Sequence, residues 1–167
     1  MPESLAGRVM RKISRAAELY HRLVILAAPP GAGKTAALRD VQKRTGAPLV
    51  NVSLELSRRM LDLNGRQRAL QLPRLLAEIV NAFISDVILL DNIELLFDVS
   101  LKQDPLRLLQ GLSRNKTLVV AWNGEIRRIH SSLFLVYAVP EHPEYRQYAV
   151  NDLLIVSPVE PEVMNEK

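Results

Sequence analysis

Short apolar runs recur along the chain, and between them apolar positions fall three and four residues apart. Runs of the first kind occupy 22–28, 49–54, 87–91 and 117–121, with two more at 133–137 and 153–156. Their nearly unbroken Val, Ile, Leu and Ala content predicts strands buried on both faces. The intervening stretches predict helices. Over 4–20, Leu5, Val9, Ile13, Ala16, Ala17 and Tyr20 share one face. A second helix is predicted from Gly33 to near Thr45, stopped by Gly46. The stretch 55–85 is helical, broken near Asn64-Gly65, with Pro73 opening its second half. A short helix follows 91, and another covers about 104–112.

Strands that alternate with helices give an α/β fold with three layers, a parallel sheet of about five strands covered on both faces. The runs at 133–137 and 153–156 supply one further strand of that sheet and one that pairs beside it. In such a sheet a ligand lies at the carboxyl ends of the strands. The chain reads as one domain, 1–167, made of an N-terminal amphipathic helix (1–20), a core (22–156) and a tail expected to fray (157–167).

The strand at 22–28 runs into Ala28-Pro29-Pro30-Gly31-Ala32-Gly33-Lys34-Thr35 and then into a helix. This is the phosphate-binding loop in its working context. Backbone N–H groups and the positive end of the following helix hold an anion. Gly31 and Gly33 permit the backbone path. Lys34 reaches β- and γ-phosphates, and Thr35 ligates magnesium. The predicted binding set is Pro30, Gly31, Ala32, Gly33, Lys34, Thr35 and Ala36. Ala28 stands where the pattern begins with Gly, and it is small enough for the turn. The ligand implied is ATP or another nucleoside triphosphate with Mg²⁺.

Asp91 closes the run at 87–91, four apolar residues and then an acid. That layout puts a carboxylate beside Thr35 in the magnesium shell, although an aspartate that caps a helix fits as well. Hydrolysis needs a base for the attacking water. Asn92 occupies the place after Asp91 where many ATPases carry Glu. Glu94 is therefore the candidate base, against a plain solvent-facing acid. Asn123, at the end of the run that begins at 117, is the candidate for orienting that water; Asn123-Gly124 is also an ordinary turn sequence. Lys34, Glu94 and Asn123 form the predicted catalytic set. Arg127 and Arg128 follow, readable as surface ion-pair residues or as arginines that reach a neighbour's γ-phosphate. His21, His130 and His142 lack metal-ligand spacing.

Composition narrows the rest. The 167 residues carry no cysteine, so disulfides and thiolate metal sites are excluded, in keeping with a reducing cytoplasm. No apolar run reaches the ~18 residues of a membrane span, and the first twenty residues do not read as a secretory signal. The net charge of +4 is concentrated in two segments: Arg8, Arg11, Lys12, Arg15 and Arg22, and then Arg58, Arg59, Arg66, Arg68 and Arg74. They read either as solvated helix faces or as a contact with nucleic acid or an acidic partner.

Together, the loop 28–35, Val87-Ile88-Leu89-Leu90-Asp91-Asn92-Ile93-Glu94 and Leu118-Val119-Val120-Ala121-Trp122-Asn123 resemble the AAA-type branch of P-loop ATPases over about residues 4–156. The resemblance implies an ATP-binding core, expected to be a weak ATPase given Asn92, and assembly into oligomers. The helical lid of that branch, with its second sensor arginine, is absent from the sequence. Within the branch, the small size and His142-Pro143-Glu144-Tyr145-Arg146 resemble BrxF, the short P-loop family of type III bacteriophage exclusion (BREX) systems. That resemblance implies a bacterial cytoplasmic component of antiviral defence. It would act with other subunits, among them a large ATPase and a DNA methyltransferase. A small-molecule P-loop kinase and a DNA-binding adaptor with a structural nucleotide remain open as alternatives.

Overall fold

The computed structural model describes residues 3–158 and 162–164. Helix α1 (Leu5–Ala16) is capped by Ser4, whose Oγ accepts from the Gly7 N–H, and it buries Ala6, Val9 and Ala16. It ends four residues short of the predicted 20, because the chain must turn to enter β1 (Leu23–Ala28); Leu19 and Tyr20 lie exposed on that turn. Helix α2 (Lys34–Thr45) stops at Gly46, whose φ of 74° is the left-handed conformation that closes a helix at little cost in glycine.

Strand β2 (Leu49–Asn51) is half its predicted length. The Asn51 side chain accepts from the Leu54 N–H and caps helix α3 (Val52–Arg59), so local capping overrides the extended preference of Val52. The predicted break at Asn64 is a capping box, in which Asn64 and Gln67 exchange side-chain-to-backbone bonds at the start of helix α4 (Gly65–Asn81). Pro73 does not start a helix; it lies inside α4. A proline there leaves the carbonyl four residues earlier without its helical donor. Gln103 Nε2 supplies one, at 2.7 Å from the Ala69 oxygen.

Strand β3 (Val87–Asp91) leads into two short 3₁₀ turns, Glu94–Phe97 and Val99–Leu101, and then into helix α5 (Pro105–Leu112), capped by Asp104. Strand β4 (Thr117–Ile129) is the largest departure from expectation. It runs straight through Asn123-Gly124, so that pair is no turn. Its outer half pairs antiparallel with β5 (Ser132–Tyr137), which pairs in turn with β6 (Arg146–Ala149). Strand β7 (Leu154–Val156) returns to the main sheet. In the tail expected to fray, Glu162–Met164 forms β8 beside Arg127–Ile129, while 159–161 and 165–167 lie outside the described residues.

The main sheet is parallel in the order β2-β3-β4-β1-β7. Alternate residues of β1 and β4 face opposite cores. Ile25, Ala27, Val120 and Trp122 join Leu56, Leu72, Leu76 and Phe97 under α3 and α4. Val24, Leu26, Val119 and Ala121 join Val9, Leu38 and Val41 under α1 and α2. Register matters most for function: Asn123 lies opposite Ala28, and Asp91 opposite Asn51. The ends of four strands therefore form one rim. Among the described residues no helix is long and apolar enough to cross a membrane.

Candidate functional site

At that rim, β1 gives way to the turn Pro29–Gly33. Gly31 and Gly33 have φ of 81° and 88°, and a Cβ built on either would meet no atom within 4 Å. Their need is thus conformational, since side chains rarely adopt this region. Gly33 caps α2 without a side chain, so the first-turn N–H groups of α2 are left to an outside acceptor. This backbone geometry suits the anion cradle that the spacing predicts.

Lys34 is buried, and its Nζ donates to the carbonyls of Ala28 (2.7 Å) and Pro29 (2.8 Å), which hold the ammonium at the loop. Burial pulls its pKa below the ordinary lysine value; the nearby charges of Asp91 and Glu94 oppose that pull. Thr35 Oγ1 donates to Asp91 Oδ2 at 2.7 Å. The other Asp91 oxygen accepts from the Asn92 N–H at 2.9 Å, which fixes the carboxylate plane. A hydroxyl and a buried carboxylate in contact are hard oxygen donors beside a phosphate cradle, the donor set that magnesium favours. The residues present fit the Mg²⁺–triphosphate pair. Asp91→Asn is expected to weaken the magnesium dependence of nucleotide binding more than the affinity measured without metal. Calorimetry with and without Mg²⁺ checks this, and equal loss in both would make Asp91 a loop-holding residue only.

The chain turns sharply after Asp91. Asn92 has φ of 51°, a left-handed conformation that asparagine tolerates better than most residues. Its carbonyl accepts from both the N–H and the Oγ of Ser53, and the Ser53 hydroxyl also receives the Leu95 N–H. This pinned turn aims Glu94 back at the cleft, where its carboxylate accepts from Asn123 Nδ2 at 2.7 Å. Pro30, Gly31, Gly33, Lys34, Thr35, Ala36, Asp91, Glu94 and Asn123 thus line one cleft of about 380 Å³. Ala32 does not line it. Asn92 and Ala121 do, although sequence reasoning missed them as lining residues. Ser53 was missed too, because its partner is 39 positions away.

A second hollow of about 400 Å³ adjoins the first. It shares Pro30, Glu94 and Asn123, and adds Tyr137, His142 and Glu144. The segment 142–146 is thereby brought to the site. His142 Nδ1 accepts from the Glu144 N–H, which places the proton of a neutral ring on Nε2. Burial, aided by the charges of Glu94 and Glu144, raises the Tyr137 pKa well above the usual phenol range, so its hydroxyl stays protonated. Arg127 lies four residues past Asn123 on β4 and pairs with Glu125 at 2.6 Å. That pairing suits the structural reading of this arginine.

A model of the ATPase family associated with various cellular activities (AAA) matches residues 24–139, and the chain belongs to that family. The matched span runs from β1 to just past β5 and contains the loop, Asp91, Glu94 and Asn123. No curated protein matches the chain.

Proposed function

We propose that this chain is an ATP- and magnesium-dependent switch with slow hydrolysis, whose γ-phosphate biases assembly with itself or with partner subunits. The hydrogen bond between Glu94 and Asn123, inside the cleft formed by the phosphate loop, carries this reading. First-turn N–H groups of α2 and the Lys34 ammonium bind the phosphates. Thr35 and Asp91 hold the metal, which when bound neutralises charge on the phosphate oxygens. Glu94 takes a proton from the attacking water while the Asn123 amide orients it; the products are the nucleoside diphosphate and phosphate. Slow turnover follows from Asn92, a neutral amide where a carboxylate would sit closest to Asp91.

A place in type III phage exclusion is part of the proposal. It draws on the chain's small size and on His142–Arg146, two of whose residues line the hollow next to Glu94. A phosphotransferase is the second reading. It is favoured by that same hollow, since Glu94 borders both cavities and could take the proton of an acceptor hydroxyl there. Light scattering and phosphate release with ATP test the first reading together. A rise in mass with ATP and magnesium, and phosphate release lowered at least tenfold by Glu94→Gln, support it. A monomer under every nucleotide condition removes the assembly role, and unchanged release by Glu94→Gln removes the base.

A further inference from the structure

We propose that the outer face of the α1–α2 layer docks the sugar–phosphate backbone of a nucleic-acid duplex. The two basic segments look alike in sequence, but the fold treats them differently. On the α3–α4 side the cations are largely committed. Arg58 and Arg59 pair with Glu55, Arg74 lies beside Glu78, and Arg68 Nε donates to the carbonyls of Met60 and Leu63. On the α1–α2 side, Arg11 pairs with Glu3 and Arg44 with Asp40. Among the described residues Lys12, Arg15, Arg39 and Lys43 have no acidic partner.

These four groups belong to one surface. Helices α1 and α2 pack on each other and on the same face of the sheet. Each leads directly into the starting end of a parallel strand, so they run in the same direction side by side. With their apolar sides buried below, the cations form two rows on the outside. Adjacent helices lie ~8–10 Å apart. A 12-residue helix spans ~18 Å, a length over which a DNA duplex carries about ten negative charges.

The kind of ligand follows from what else this face offers. No large apolar side chain is exposed on α1 or α2. Protein partners are usually anchored by buried apolar or aromatic groups, and membrane-surface helices by an inserted apolar face. Here the apolar face of α1 is spent on the core, with Val9 fully buried. A surface that attracts only through charge suits a polyanion bound by its backbone.

Fluorescence anisotropy of the full chain with mixed-sequence 24-base-pair DNA and RNA duplexes tests this. Neutralising four phosphates predicts an affinity that falls roughly 100-fold between 50 and 200 mM salt. Lys12→Gln/Arg15→Gln, and separately Arg39→Gln/Lys43→Gln, should cut that fall to roughly tenfold and weaken binding at 50 mM salt. Arg58→Gln/Arg59→Gln should leave both unchanged. ATP affinity and the helical circular dichroism of all three variants should match the parent, which separates this surface from the nucleotide cleft. Comparable affinity for the two duplexes marks backbone recognition, and a preference for one identifies the source. No binding to either at 50 mM salt overturns the proposal. So does binding that the α3 variant abolishes and the α1–α2 variants spare.

Discussion

Lys34→Ala is expected to abolish ATP binding in titration calorimetry while leaving the fold intact. Among the described residues that line the cleft, Lys34 is the one side-chain cation, and its Nζ has three protons to donate. A hydrogen bond between charged groups contributes ~1.5–3 kcal/mol. With nucleotide bound, two of those protons turn to phosphate, one of them in exchange for a loop carbonyl, and their loss corresponds to roughly 3 kcal/mol or more, a hundredfold or greater drop in affinity. Stability should respond weakly. Without nucleotide the ammonium sits in a buried place that disfavours its charge, as its lowered pKa records. Alanine removes that penalty along with the two bonds to the Ala28 and Pro29 carbonyls, and the two changes offset. The melting temperature should move by no more than a few degrees. Unchanged ATP affinity would contradict the assignment of the loop. A collapse in melting temperature would mean that the lysine holds the loop together rather than its ligand.

The sequence carried this part of the site plainly for a physical reason. A triphosphate cradle needs a buried strand, two glycines in the left-handed region and a helix start, all within fourteen consecutive residues from Arg22 to Thr35. Local signals suffice. Asp91 was legible in the same way, as a polar residue closing an apolar run. What sequence could not settle was the aim of Glu94. That depends on the positive φ of Asn92 and on Ser53, brought from the start of α3 by the pairing of β2 with β3. The shortened β2 belongs to the same device, since α3 must begin at Val52 for Ser53 to reach the turn. The β4–β5–β6 ribbon was hidden differently. Its outer half of β4 mixes Glu125, Arg127 and Arg128 with Ile126 and Ile129, so it lacks the unbroken apolar signature of the inner half. Asn123-Gly124 then imitates a turn.

Gly124 has another purpose, and Gly124→Ala should be among the most damaging single substitutions in this chain. An alanine Cβ there would lie 1.8 Å from the Val136 carbonyl oxygen and 2.8 Å from its carbon, backbone atoms that cannot swing aside. The same oxygen accepts the indole N–H of fully buried Trp122 at 3.0 Å. Relief of the clash would require β5 to move away from β4. That movement breaks the indole bond, at ~1–3 kcal/mol for an orphaned buried donor, in addition to ~1–3 kcal/mol of overpacking. A loss of about 4 kcal/mol corresponds to a melting temperature lower by roughly 8–16 °C at this chain length. The damage should reach the cleft, because the Asn123 carbonyl accepts from the Ala138 N–H across the same pair of strands, and Tyr137 stacks on Phe97 just below. Gly111→Ala is the control. Gly111 lies in α5 with no atom within 4 Å of a built Cβ, so alanine there should raise stability by ~0.5–1 kcal/mol. Differential scanning calorimetry of the two variants gives opposite signs if the glycine at 124 exists for close approach. A Gly124→Ala protein that melts with its parent would return the pair Asn123-Gly124 to the status of an ordinary loop sequence.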